Sequence, residues 1–246
     1  MEPGKQRVAI LAPRSTIGQS VVERLGKSDC PFALIGRNLS GLRTDSASYA
    51  ATCDLTDFDA VHEALGHARD SLGGLTGVVN CAGSMLLKPA HLTTRQEFDG
   101  AIESNLATAF ATVRASVAHL DSSGGSVVLI SSAAATLGMP NHELIGAAKA
   151  AVEGLVRSAA ATYASRSIRF NGVAPGLVAS NLSERLVTNK ATLKVSESLH
   201  PLGRIGKPDE VARAICWLLD PAQSWVTGQI IGVDGGLSRV QPRVKL

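Results

Sequence analysis

Short apolar runs of four to six residues alternate along the chain with longer stretches in which apolar residues recur every three or four positions. A strand buried on both faces reads as a continuous run, and a helix lying on it shows one stripe. The alternation therefore predicts βαβ units around a parallel sheet. Strands are expected at 7–11 (RVAIL), 32–35, 49–53, 77–80 (GVVN), 126–130 (SVVLI), 168–173 and 229–233. Helices are expected at 17–25, 57–72, 97–120, 144–164 and 208–219. Within 57–72, Val61, Ala64, Leu65, Ala68 and Leu72 share one face. The stretch 144–164 is rich in alanine, which costs least in a helix, and Pro208 suits a first helical turn. No repeat, linker or low-complexity stretch interrupts this series. Residues 1–246 read as one α/β domain, a doubly wound Rossmann fold with a parallel sheet of about seven strands. The segment 180–202 is polar and irregular; lying beyond a strand end, it is expected to form a substrate lid.

Composition narrows the class. A chain of 246 residues has ample material for a full core, and 45% hydrophobic with 18% charged residues is ordinary for a globular protein. The net charge is only +3, and no Lys/Arg run interleaves with aromatics, so no nucleic-acid footprint is expected. Arg243 and Lys245 read as a solvated tail. Cys30, Cys53, Cys81 and Cys216 are scattered without a Cys-x-x-Cys pair, which argues against a zinc site or a disulfide framework and for a reducing compartment. The first seven residues lack the pattern of a signal peptide, and no stretch reaches the roughly 18 apolar residues of a membrane span. A cytoplasmic protein without a membrane partner or a metal is expected.

The first turn brings in chemistry. Ala12-Pro13-Arg14-Ser15-Thr16-Ile17-Gly18 joins the first strand to the first helix. There a helix N-terminus can hold a pyrophosphate, provided that the backbone bends tightly and approaches closely. Gly18 is the glycine in this turn; Arg14, Ser15 and the Thr16 hydroxyl add donors, while the branched Thr16 side chain could crowd a phosphate. A plain strand-to-helix turn is the alternative. After the second strand comes Ile35-Gly36-Arg37-Asn38, with no acid for a ribose 2′-hydroxyl and with Arg37 suited to a 2′-phosphate, which favours NADP(H) over NAD.

Further segments stand in a telling order. Cys53-Asp54-Leu55 and Asn80-Cys81-Ala82-Gly83 follow the third and fourth strands, and Pro175-Gly176-Leu177-Val178-Ala179-Ser180 follows the sixth. Leu202-Gly203-Arg204, Pro208-Asp209-Glu210-Val211-Ala212, Val226-Thr227-Gly228-Gln229 and Val233-Asp234-Gly235-Gly236 complete the series. Together they resemble the short-chain dehydrogenase/reductase family along nearly the whole chain. The resemblance implies that residues 14–18 (Arg14, Ser15, Thr16, Ile17, Gly18) cradle phosphate, with Ala12 and Thr16 standing where the family has two further glycines. It implies that Asp54 and Leu55 meet adenine, and that Asn80, Ala82 and Gly83 support the sheet and contact adenosine. Pro175, Gly176, Val178 and Ser180 would then lie beside the nicotinamide.

The resemblance also implies a catalytic set. Ser132 would bond the substrate oxygen, Lys149 would hold the nicotinamide ribose, and Asn105 would link a proton relay. The family's proton-donating Tyr, four residues before the Lys, is replaced by Ile145. His142, seven residues before Lys149, stands where related enoyl-thioester reductases carry their Tyr, and imidazole titrates near neutrality. His142 is therefore the expected substitute acid, with Glu143 as a second acid or its partner; a loop residue at the surface is the alternative. These features imply an NADP(H)-dependent oxidoreductase acting on a small molecule, a carbonyl or activated enoyl compound, with His142 or a bound water in place of Tyr. A catalytically silent NADP(H)-binding sensor or scaffold, and a non-redox isomerase or cyclase, stay open beside it. Family resemblance further implies a homo-oligomer, a tetramer or dimer.

Overall fold

The computed structural model describes residues 6–28, 30–42 and 46–241; the tail reading of Arg243 and Lys245 lies outside them. Seven parallel strands, β1 (Val8–Leu11), β2 (Phe32–Gly36), β3 (Tyr49–Thr52), β4 (Gly77–Asn80), β5 (Gly125–Ile130), β6 (Ile168–Pro175) and β7 (Ile230–Val233), form one sheet in the order 3-2-1-4-5-6-7. The expected doubly wound sheet is what forms. The order reverses between β1 and β4, and ligands bind at such a switch point, outside the carboxyl ends of the strands.

Strand side chains alternate between two cores. Val8, Ile10, Phe32, Leu34, Val79, Val128 and Val173 pack under α1 (Thr16–Leu25) and α8 (Pro208–Leu219). Ala9, Leu11, Ala33, Ile35, Val78, Val127, Leu129 and Phe170 face the opposite layer. That layer holds α2 (Phe58–Leu72), α4 (Thr108–His119) and α5 (Glu143–Tyr163). The two-sided burial is why these strands read as unbroken apolar runs. Burying a side chain such as Phe170 contributes about 2–3 kcal/mol against leaving it in water.

Two expectations need correction. The single helix expected at 97–120 is instead α3 (Arg95–Ile102), a π-helical turn at Glu103–Ala107, and α4. The widened turn admits the Asn105 side chain, whose Nδ2 donates to the Ala101 carbonyl at 2.9 Å in place of a helical N–H. The irregular 180–202 segment contains the short 3₁₀ turn Asn181–Ser183, then α6 (Glu184–Thr188) and α7 (Lys190–Leu199). Neither helix buries a residue: α7 carries Ala191, Val195 and Leu199 at i, i+4 and i+8, but Val195 and Leu199 stay exposed. Asn189 caps α7, accepting the Ala191 and Thr192 N–H groups.

Candidate active site

Residues just past the carboxyl ends of the strands line a groove made of two adjoining cavities, of about 450 Å³ and about 750 Å³. Arg14, Ser15, Cys81, Ala82 and Gly83 belong to both.

At the first turn, Ala12 adopts φ 55°, the left-handed conformation that glycine takes most easily. The Ser15 N–H closes the turn onto the Ala12 carbonyl at 3.1 Å, and Ser15 Oγ accepts the Gly18 N–H at 3.0 Å as the cap of α1. A Cβ on Gly18 would lie 2.7 Å from the Ala12 carbonyl oxygen, so close packing of turn on helix demands glycine there. Thr16 lines the smaller cavity beside Ser15 and Ile17. Its Oγ1 accepts the Asn181 N–H at 3.2 Å and so ties the turn to the segment after β6.

Arg14 and Arg37 both line the larger cavity, beside Asn38, Asp54, Leu55 and Thr56. Arg14 is steadied by Ser40, whose Oγ accepts from Nη1 at 3.1 Å. The Thr56 backbone N–H and hydroxyl both donate to Asp54 Oδ1 and hold its carboxyl below its usual range, with the Arg37 charge acting in the same direction.

The smaller cavity is lined by two of the four expected catalytic residues, Ser132 and Lys149. Lys149 projects from α5 and is buried, and its Nζ donates to the Ile130 carbonyl at 2.8 Å. Burial pushes its ammonium down to about 8. Asn105 does not line the cavity but sits directly behind it: a Cβ on Gly83 would meet Asn105 Oδ1 at 3.0 Å and Lys149 Nζ at 3.2 Å. Gly83 is what lets the two polar groups approach one wall. Ser132 lines the cavity, its Oγ accepting the Ala134 N–H at 3.2 Å. Pro175, Gly176, Val178 and Ser180 line the opposite wall with Ile17, while Asn80 lies underneath, bonded to Thr112 and to the Ala82 N–H.

Ile145, one turn before Lys149, lines the same cavity. His142 does not. It stands at the N-cap of α5 with Nδ1 2.8 Å from the Pro140 carbonyl, and neither it nor Glu143 is among the lining residues. The seven-residue spacing keeps His142 in phase with Lys149 but about two turns, roughly 10 Å, further along the axis. The expected substitute acid is thus not among the side chains that line the cavity.

Several residues here escaped the sequence reading. Cys81 lines both cavities, and burial pushes its thiol up to about 12. Ser84 ties its Oγ to Ser104 Oγ at 2.6 Å and accepts from Asn105 Nδ2 at 3.1 Å. Buried Glu153, one turn after Lys149, accepts the Ser131 hydroxyl at 2.9 Å and so pins the end of β5. Buried His200 accepts the Leu177 N–H on Nε2 and thereby anchors the end of α7 to the chain leaving β6. The only signal for these was position: each lies within a few residues of a strand end or a recognised motif.

A family model described as enoyl-(acyl carrier protein) reductase matches residues 11–238. The chain belongs to the short-chain dehydrogenase/reductase family. It is 33% identical to a tropinone reductase homolog of Arabidopsis thaliana, over 90% of this chain and 88% of that one. It is 32% identical to 2,5-dichloro-2,5-cyclohexadiene-1,4-diol dehydrogenase of Sphingobium indicum, over 92% of this chain and 94% of that one. Its fold matches that of ElxO with NADP bound at a TM-score of 0.87 and 26% identity, covering 95% and 98% of the two chains. As a short-chain dehydrogenase/reductase the chain is an oxidoreductase, and its cofactor class is NAD(P). The groove fits such a dinucleotide: a helix N-terminus and Arg14 stand at its middle, polar adenosine-side residues at one end and buried Lys149 at the other.

Proposed function

We propose that the protein is an NADP(H)-dependent reductase of a carbonyl or activated enoyl compound. The observation that carries this reading is Lys149 and Ser132 lining one cavity, with Asn105 behind Gly83, in a lining that is otherwise largely apolar and includes Met85, Ile145, Leu177 and Leu182. Arg14 and Arg37 at the adenosine end, with no acid at the end of β2, favour a 2′-phosphate. The N–H groups of Thr16 and Ile17, at the open end of α1, would receive the pyrophosphate, and Asp54, Leu55, Ala82 and Gly83 would frame the adenosine. Pro175, Gly176, Val178 and Ser180 would border the nicotinamide, and the 180–202 segment would close over the substrate.

Bound NADPH would supply the hydride. Ser132 would hold the substrate oxygen by a hydrogen bond, and Lys149 would bind the nicotinamide ribose, steadied behind by Asn105. The substrate class is a neutral, compact molecule, because the described walls offer no cation for a carboxylate beyond Lys149 and Arg14. The reading includes a cytoplasmic homo-oligomer, dimer or tetramer, whose packing would cover half-exposed Phe98, Phe110 and Trp217 on α3, α4 and α8.

Calorimetric titration with NADPH and NADH tests the cofactor, and NADPH oxidation over a panel of cyclic ketones and enoyl thioesters tests the reaction. Tight NADPH binding that weakens about tenfold in Arg37→Ala, with NADH affinity unchanged, is expected. Binding of neither dinucleotide would end the reading.

A further inference from the structure

Reduction of a carbonyl needs a proton as well as a hydride, and Ile145 has none to give. The titratable side chains lining the smaller cavity are Arg14, Cys81 and Lys149. Arg14 lies at the phosphate turn and does not release its proton. The buried Cys81 thiol holds its proton more tightly than a free thiol does. Lys149 differs from both: its Nζ is buried at the cavity wall, uses one bond on the Ile130 carbonyl, and pairs with no carboxylate among the described residues. Ser132, two residues beyond Ile130, lines the same wall.

We propose that the Lys149 ammonium is itself the proton donor of the reaction, delivering a proton from Nζ to the substrate oxygen held by Ser132. The proposal rests on the reductase reading above. Hydride from NADPH forms the new C–H bond, the carbonyl π pair moves to oxygen, and an Nζ–H bond breaks to form O–H. NADP⁺ and neutral Lys149 remain, and the amine recovers its proton from solvent water.

The groups facing Nζ suit this cycle. The Ile130 carbonyl from β5 accepts from Nζ and stabilises the charged form, while Asn105 Oδ1 from the π-helical turn approaches the same point behind Gly83 and accepts the Ser84 N–H at 3.3 Å. Cys81, beyond β4, is neutral below its raised range. Glu153, on Lys149's own helix, is engaged by Ser131, and Arg157 lies beyond it at 3.7 Å. Desolvation is the dominant influence and brings the ammonium down to about 8, where it both holds and releases a proton near neutrality. The Ile145 side chain fills the place one turn earlier without competing for the oxygen.

The decisive experiment compares wild type with Lys149→Arg, which keeps a cation for the ribose but gives up no proton near neutrality, and with Lys149→Met, checked by thermal melting. Single-turnover hydride transfer is followed by NADPH absorbance, NADPH affinity by calorimetry, and the acylation rate of Lys149 against pH by peptide mapping. The expected result is a fall of about 10²–10³-fold in kcat for Lys149→Arg with NADPH Kd within a few-fold. Wild-type kcat should drop tenfold per pH unit above about 8, and Lys149 acylation should rise through the same pH. Retained turnover in Lys149→Arg, or a loss of equal depth in His142→Ala, would overturn the donor role while leaving the reductase reading intact. If wild type binds NADPH but oxidises it with no carbonyl or enoyl compound, the reductase reading falls and the donor role with it.

Discussion

The two ends of the groove have met the loss of family residues in different ways. At the phosphate turn, Ala12 and Thr16 stand where two glycines are usual, yet the turn keeps its shape. Ala12 still adopts φ 55°, Ser15 still caps α1, and Gly18 still packs against the Ala12 carbonyl. At the nicotinamide end, Ile145 stands where the family has a phenol and lines the cavity with an apolar side chain. A backbone conformation can be held by its hydrogen bonds at a modest energetic cost, whereas a proton donor is a chemical group and cannot be recovered by packing. The first end tolerates substitution; the second must change which atom does the work.

The largest effect on this contrast should come from Gly18. In Gly18→Ala the added methyl meets backbone on two sides, Ala12 O at 2.7 Å and Pro13 Cα at 3.0 Å. A loss of about 2–3 kcal/mol in denaturant melts is expected, with NADPH affinity down at least about tenfold. An unchanged melt would show that the turn is looser than its contacts imply.

Lys149 gives the next test, through the pH dependence of stability. Its folded pKa lies near 8 and its unfolded value near 10.5, so between these the unfolded chain binds more protons and stability rises with pH. Below pH 8 the lysine is charged in both states and the cost of burying it is present in full. From pH 7.5 to 10.5, wild type should gain about 2–3 kcal/mol relative to Lys149→Met. Parallel stability curves would place Lys149 in water and remove the reason for its lowered range.

Ala12→Gly sharpens the other side. Relief of a left-handed alanine should raise stability by about 1 kcal/mol, read as a higher denaturant midpoint at constant slope. A loss instead would mean that the methyl group packs usefully in the partly buried turn. Smallest is Thr16→Val, which removes the hydroxyl that receives the Asn181 N–H. About 0.5 kcal/mol is expected, visible as faster hydrogen exchange at Asn181 while Thr16→Ser stays protected.

Much of this protein was legible before its structure. Two-sided apolar runs marked the inner strands β1, β2, β4, β5 and β6, because a parallel sheet covered on both faces leaves no polar alternation there; the edge strands β3 and β7 are only partly buried and read more weakly. Apolar periodicity marked α2 and Pro208 the first turn of α8, and motif order put Ser132, Arg37 and the Pro175–Ser180 segment just past strand ends and Lys149 on the long helix α5. Local sequence also fixed the absence of a phenol at Ile145. Other features were decided only when distant segments met. The π-helical turn around Asn105 reads as ordinary helix, since one extra residue hardly disturbs a 3.6-residue period. The helices of the 180–202 segment bury nothing, and the one stripe there, Ala191, Val195 and Leu199 on α7, is short and set among polar residues. Whether His142 or Lys149 reaches the cavity depends on two turns of helix rise and on the side chains that wall it, a question of three-dimensional distance. The same holds for Lys149's lowered range, which comes from burial under Gly83 and beside Ile130 rather than from any neighbour in the chain.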